Sequence, residues 1–542
     1  MQQLSGLDNA SLFTERGNVY NHVGTLIVYD PSTAPGGGVR YKEILGHFAE
    51  RLHLHPVFSN HLTSAPLGLD RPYWVAGGPI DVEYHIRHLA LPAPGDWRQL
   101  MIQVARLHSR PLDRHRPLWE VYIIEGLDDI AGLPRGSFAM YLKLHHAAVD
   151  GVAAVSLLEK MHTTAPVKPA ADAHLHVVAP ETEPRPAELL YKTVGHNLSR
   201  LARAARLSAG GTLRLLYTGR KQLGRLNAAS LEALAGVLRE AGVAAAPRTR
   251  FSERVSANRV MECMGMSLEH IKRVRASVPG STLNDVFIAV AGGAVRKYLE
   301  GKGELPAKSL AGLMPIALRS EGSAGGNQVA GVPVRVRSDI ADPIQRLAAI
   351  AEETRAGKAT AEKLGLETVA NILDVVPPLL AKTLVDKLML PRLNMAVSNV
   401  RGPGHDMYLA GARAMCFYPV SIPADGAGLN FTGISYDGVM WVSMVSCRRM
   451  LPDSGLMLSC MEQAWTELLQ AAATLPAGAT AVLTASAQPV ARGGRKSRAG
   501  GKAKAKAKAK AKAKAKAKAK SKTKSRPKTS VKARTRTRRA GS

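Results

Sequence analysis

Residues 138–151 read FAMYLKLHHAAVDG, and two periodicities meet inside that stretch. Phe138, Met140, Leu142 and Leu144 alternate with Tyr141 and Lys143, the two-residue repeat of a strand. Just beyond it, Val152, Val155, Leu158 and Met161 fall at helical spacing. His145-His146-Ala147-Ala148-Val149-Asp150-Gly151 therefore sits at a strand-to-helix junction in a body of mixed strands and helices.

Those residue types suit base-assisted acyl transfer. Moving an acyl group from a thioester to an alcohol requires removal of the hydroxyl proton as the oxygen attacks, and a neutral imidazole titrates near the working pH. One histidine is enough. Adjacent side chains in such a turn point in different directions, so only one of His145 and His146 is expected to face a substrate. Asp150 either receives an imidazole hydrogen bond or pairs with an arginine to fix the turn, and the second, structural role is favoured; Gly151 permits a tight backbone there. Two other readings stand beside this one: a purely structural histidine pair, and a metal site. Against the metal, adjacent histidines seldom share an ion and no third ligand follows at a familiar spacing.

Outward from the motif, residues 165–187 are rich in Ala, Pro and His and end in PETEPRP, a linker composition. From Leu189 to Ser230 there are eight Lys or Arg and no acids, with Leu190, Val194, Leu198 and Leu201 near helical spacing. Such a segment either lies in a membrane interface or packs on the body as an ordinary surface helix. Globular character returns over 251–475, with strand-like runs at 332–337, 393–400 and 439–445. The expected organisation is an N-terminal unit over 1–180, a basic amphipathic crossover over 181–250, a C-terminal unit over 251–475, and a Lys/Ala-rich tail over 476–542.

The formal charge of +30 is concentrated in that tail: residues 492–542 hold 23 Lys or Arg and no Asp or Glu, which leaves about +7 for the rest. The body does not demand a polyanionic partner. The tail is expected to be disordered, and as a flexible polycation it suits DNA, RNA, anionic phospholipid or polyphosphate without sequence preference, or serves solubility alone. Cys263, Cys416, Cys447 and Cys460 form no C-x-x-C pair and read as buried reduced thiols. The opening MQQLSGLDNASLF lacks a secretory pattern, and no window is apolar enough to span a bilayer, which points to the cytoplasm with contact limited to the inner membrane face or lipid inclusions.

HHAAVDG is similar to the HHxxxDG motif of the CoA-dependent acyltransferase superfamily. Further stretches resemble one branch of it, the wax ester synthase/diacylglycerol acyltransferase family: LSGLDNASLFTERGNVYNHVGTLIVYD with Glu15 and His22-Val23-Gly24, Arg116-Pro117-Leu118-Trp119, Thr282-Leu283-Asn284-Asp285-Val286, Met314-Pro315-Ile316-Ala317-Leu318-Arg319, and Ser398-Asn399-Val400-Arg401-Gly402-Pro403. They occur in family order over residues 4–470. The resemblance implies an α/β (α+β) fold of two chloramphenicol-acetyltransferase-like subdomains with a tunnel between them. Acyl-CoA is the implied co-substrate, diacylglycerol or a long-chain alcohol the implied acceptor, with no metal or prosthetic group. His146 becomes the general base and His145 the support of the turn. Asn284 is the candidate donor to the developing oxyanion, and Glu15, Pro117, Trp119, Asp285 and Asn399 are carried over as further substrate-site residues. Of these, Asp285 also suits a helix cap, and Trp119 and Pro117 also suit the core. Direct attack in a ternary complex is expected, since no activated Ser or Cys is evident. Alternatives are an inactive acyltransferase-like scaffold tethering lipid inclusions to nucleic acid or membrane, and an enzyme acting on a carrier-bound acyl chain. The Lys-Ala tail and the 165–250 region fall outside the family pattern.

Overall fold

The strand predicted from Phe138 onward forms as Phe138–His145, and every one of its residues is buried. Its alternation separates two apolar layers rather than a core from solvent. Phe138, Met140, Leu142 and Leu144 join one cluster, while Ala139 and Tyr141 join another. Lys143 is the charged exception. Its Nζ donates to Glu120 Oε2 (3.1 Å) and to the carbonyls of Arg110 (2.7 Å) and Leu107 (3.3 Å), the partners a buried ammonium requires.

The computed structural model describes residues 1–64, 68–78, 80–149, 151–168, 180–207, 246–317, 329–364 and 393–474. In chain order its strands are β1 (Gln2–Gln3), β2 (His22–Asp30), β3 (His61–Thr63), β4 (Tyr73–Val75), β5 (Ile86–Ala90), β6 (Trp119–Glu125), β7 (Phe138–His145), β8 (Arg259–Ser267), β9 (Ala311–Ala317), β10 (Val329–Arg335), β11 (Met395–Val400), β12 (Tyr408–Leu409), β13 (Ala412–Val420), β14 (Leu429–Tyr436) and β15 (Val439–Cys447). They build two six-stranded sheets, ordered β12-β13-β2-β7-β6-β5 and β10-β9-β11-β14-β15-β8, and a small sheet β1-β4-β3.

Two strands of the second half complete the sheet of the first. β13 pairs antiparallel with β2, from Gly24↔Val420 to Arg413↔Asp30. The unit expected over 251–475 therefore lends residues 408–420 to the N-terminal sheet, and the halves are interlocked by backbone hydrogen bonds. In the second sheet β11 runs parallel to both β9 and β14. Its face is covered by the helix Leu283–Gly301, which is buried without interruption from Asp285 to Val295. Close approach explains Gly292 in that helix: a Cβ there would meet the Val336 carbonyl oxygen at 1.9 Å.

The helix predicted after the histidine motif forms as Gly151–Met161. Within the basic amphipathic segment, Pro186–Leu207 is helical, and its first residue is the proline that a helix N-terminus tolerates. The rest of that segment, the tail 476–542, Arg319 and Asp150 lie outside the described residues. The four cysteines are free and buried. No described helix is long and apolar enough to cross a membrane.

Candidate active site

β7 ends at His145, and the turn that follows is gripped from both sides by its neighbours. The His145 N–H donates to the Leu118 carbonyl (3.0 Å), and the His146 N–H donates to the Asn21 carbonyl (2.8 Å). The register β2–β7 sets His22 opposite His145. Strand pairing thus fixes where each histidine leaves the backbone.

His145 is buried and both of its ring nitrogens are engaged. Nδ1 accepts the Ala147 N–H (3.0 Å), which puts the ring proton on Nε2, 3.2 Å from Glu15 Oε1. Glu15 also accepts the Asn21 N–H (2.6 Å) and the Arg114 guanidinium. Burial works to raise the Glu15 pKa, but the hydrogen bonds from His145, Arg114 and Asn21 outweigh it and hold it down to about 2. Glu15, carried over as a substrate-site residue, therefore stands on His145 as its orienting carboxylate. His146, the next residue, is half-buried.

Behind the turn lies a polar relay of neutral rings. His22 Nε2 is 2.8 Å from the His108 carbonyl, His108 Nδ1 is 2.8 Å from the Tyr141 hydroxyl, and His108 Nε2 is 3.0 Å from the Ser421 carbonyl. Burial pushes His22 well below the usual imidazole range and His108 down to about 3. Gly24 belongs to the same device: a Cβ there would lie 2.5 Å from the Tyr141 ring.

The facing wall comes from the second half of the chain. A Cβ at Gly151 would lie 3.2 Å from Val400 Cγ2, so the helix that opens after the motif abuts the end of β11. One residue earlier on that strand, Asn399 Nδ2 donates to Asn284 Oδ1 (2.6 Å). Asn284 stands in the first turn of the helix Leu283–Gly301. That bond orients the Asn284 amide by its oxygen and leaves its NH2 group as a donor. Gly151, Asn399 and Asn284 are all half-buried.

Other carried-over residues lie elsewhere. Asp285 is buried, and both carboxylate oxygens are engaged, Oδ2 by the Thr282 N–H (2.7 Å) and hydroxyl (2.8 Å), Oδ1 by the Thr354 hydroxyl (2.7 Å). It is the third residue of a capping box whose N-cap is Thr282, and it holds the helix start rather than a substrate. Trp119 is wholly buried, stacked on His85 at 4.3 Å, with its indole N–H donated to the Phe58 carbonyl (3.0 Å); it is core. Pro117 walls a separate cavity of about 300 Å³ with His85, His115 and Arg116. Asn21 and Arg114, which tie Glu15 and the turn together, carry no local pattern in the sequence, and only the fold brings them beside the motif.

Two family models match the chain: the wax ester synthase/diacylglycerol acyltransferase catalytic domain over residues 4–287, and the C-terminal domain of the same family over 325–469. A putative diacylglycerol O-acyltransferase of Mycobacterium bovis is 32% identical over 489 residues, covering 86% of this chain and 98% of the relative. A probable diacylglycerol O-acyltransferase of Mycobacterium tuberculosis gives the same figures. Among solved structures, the wax ester synthase/diacylglycerol acyltransferase of Marinobacter aquaeolei is similar with a TM-score of 0.60 and 27% identity, over 87% of this chain and 100% of that one. The first condensation domain of the calcium-dependent antibiotic synthetase shares the fold, with a TM-score of 0.51 at 13% identity over 87% of this chain and 97% of that one. The chain belongs to the wax ester synthase/diacylglycerol acyltransferase family.

Proposed function

We propose that this chain transfers a long-chain acyl group from acyl-CoA to diacylglycerol, a long-chain alcohol, or both, with His146 as general base. The observation that carries the assignment is the engagement of both His145 nitrogens, by Ala147 and by Glu15. A ring so held cannot also take a proton from substrate. The half-buried second histidine of the motif, His146, is the proposed base.

In the reaction, His146 accepts the acceptor hydroxyl proton as the oxygen attacks the thioester carbonyl. The negative charge that develops on the carbonyl oxygen needs a donor already in place, and the Asn284 amide, held by Asn399, supplies one. Collapse expels the CoA thiolate, which takes the proton back from His146. The protein ends unchanged and no covalent enzyme intermediate is required.

Acceptors this apolar reside in membranes or lipid inclusions, and the helix Pro186–Leu207 offers a contact. Leu189 and Thr193 are buried against the body, while Leu190, Val194 and Leu198, four residues apart, are 48, 53 and 62% exposed and Tyr191 is 82% exposed. An outward apolar stripe on a basic helix suits the boundary between headgroups and acyl chains.

The test is thiol release from palmitoyl-CoA by the purified full chain, with dioleoylglycerol or hexadecanol as acceptor and the lipid products resolved by chromatography. Acceptor-dependent release with matching ester formation is expected. Folded protein that releases no thiol with either acceptor overturns the proposal.

A further inference from the structure

One cavity of the described body is not lined by the histidine motif, the asparagine pair or any other residue assigned above. It measures about 890 Å³, and its wall carries four arginines, Arg16, Arg248, Arg254 and Arg449, against one carboxylate, Asp425. Arg16 is 3.5 Å from that carboxylate, and Asp425 also accepts the Val255 N–H (2.8 Å). Among the described residues Arg449 reaches an exposed Glu253 at 3.8 Å and the Arg254 carbonyl. Arg248 and Arg254 are exposed, and among the described residues their guanidinium groups make no hydrogen bond or ion pair.

A fifth arginine lies under the floor. Arg259 is 6% exposed, and its guanidinium donates to the carbonyls of Ser256 (2.7 Å), Ala257 (3.4 Å) and Asn18, all three of which line the cavity. Among the described residues no carboxylate pairs with it directly, and the field of Asp425 in the cavity wall reaches it through space. Five guanidinium groups against that one carboxylate leave a positive field, and low-dielectric walls focus it into the cavity. Planar guanidinium forks are the side chains best matched to phosphate oxygens.

The position of the cavity matters as much as its charge. Its wall begins at Arg16, one residue beyond the Glu15 that holds His145, and runs through Asn18 toward the Asn21 that holds His146. A ligand anchored here by phosphates is anchored on the segment that braces both histidines.

We infer that this arginine-lined cavity binds the phosphates of the nucleotide end of coenzyme A, holding the acyl donor while its thioester reaches the histidine motif. The inference rests on the acyl-CoA reading given above and names the donor's anchoring site for it. Apolar acceptors carry no phosphate, so the cavity separates the two substrates by chemistry.

The test measures binding first and turnover second, on the full chain. Calorimetry compares adenosine 3′,5′-bisphosphate with inorganic phosphate, on wild type and on the Arg248→Glu/Arg254→Glu double variant. Both positions are exposed, so folding is expected to survive, and circular dichroism checks it. The bisphosphate is expected to bind wild type, and the double variant to bind it about ten-fold more weakly or worse. Equal binding to wild type and folded double variant overturns the inference, as does a bisphosphate held no better than inorganic phosphate, the behaviour of a site for single phosphate headgroups. In turnover, the preference for palmitoyl-CoA over the palmitoyl thioester of N-acetylcysteamine, which lacks every phosphate, is expected to fall about ten-fold in the double variant, through KM. Phosphate-dependent binding in a protein that turns over neither thioester leaves the site standing and overturns the acyltransferase reading instead.

Discussion

At the scale of the residue, the account divides labour between neighbours. His145 is held at both nitrogens, by Ala147 and by Glu15, and His146 is the proposed base. Glu15→Gln keeps the shape but weakens the hold on His145, so kcat is expected to fall while KM for acyl-CoA stays within about two-fold. A rise in KM alone would contradict a positioning role. The same substitution tests the charge of Glu15. Its folded pKa of about 2 lies below the ordinary 4.5, so the native state binds fewer protons than the unfolded chain between those values. Its stabilisation is therefore complete above about pH 4.5 and is lost as pH falls toward 2. Thermal unfolding of wild type and Glu15→Gln should converge across that window; a constant gap would refute the pairing. For Asn284→Ala the expected loss is about a hundred- to a thousand-fold in kcat, and Asn399→Ala should give a smaller loss by freeing the same amide. The His146 motif and the Asn284-Asp285 pair could be read from sequence because chemistry and capping each leave a short local pattern. The division between Asn284 and Asp285 was legible in the same way, as a cap assigned to Asp285; its bond to Thr354, far along the chain, was not.

At the scale of the element, the strand-to-helix junction was legible because its two periodicities are long and adjacent. The same reasoning found the strands near 332, 393 and 439, where alternation is strong. Alternation in β7 gives a strand but not its surroundings: both faces are buried, and a period of two says that faces differ, not that one meets water. Local pattern also could not show that β12 and β13 cross to the first sheet, because pairing partners are set by the whole topology. The helix Pro186–Leu207 supplies the element-level prediction. Replacing Leu190, Val194 and Leu198 together by Ser removes exposed apolar surface, so unfolding should shift by no more than about 1 kcal/mol, while recovery with phosphatidylglycerol vesicles in flotation should drop several-fold. Undiminished flotation would send the membrane contact elsewhere. Asp285→Ala should cost about 1–2 kcal/mol through loss of the capping box and its bond to Thr354, readable by denaturant titration.

At the scale of the whole molecule, interlocked sheets bury many histidines as neutral rings. Burial, with nearby cationic charge, lowers His47 and His108 to about 3, and burial lowers His162 to about 4, against an ordinary 6.5. Below about pH 6.5 the unfolded chain takes up protons that these native rings refuse, so the stabilisation is full above that pH and drains away as pH falls toward 3. The melting temperature should therefore drop steadily between pH 7 and pH 5, and a flat profile would mean that these rings charge in place. Composition reported the charge of the chain but not its use, since the arginines of the large cavity come from residues 16, 248, 254 and 449 and no linear run announces them. A body of this family, held together across both halves, is proposed to use His146 as the base of acyl transfer. The most direct test is thiol release from palmitoyl-CoA with acceptor present, comparing wild type with His146→Ala at matched folding. The account predicts acceptor-dependent release in wild type and a fall of about a hundred- to ten-thousand-fold in the variant; a folded His146→Ala protein that keeps wild-type turnover would contradict it.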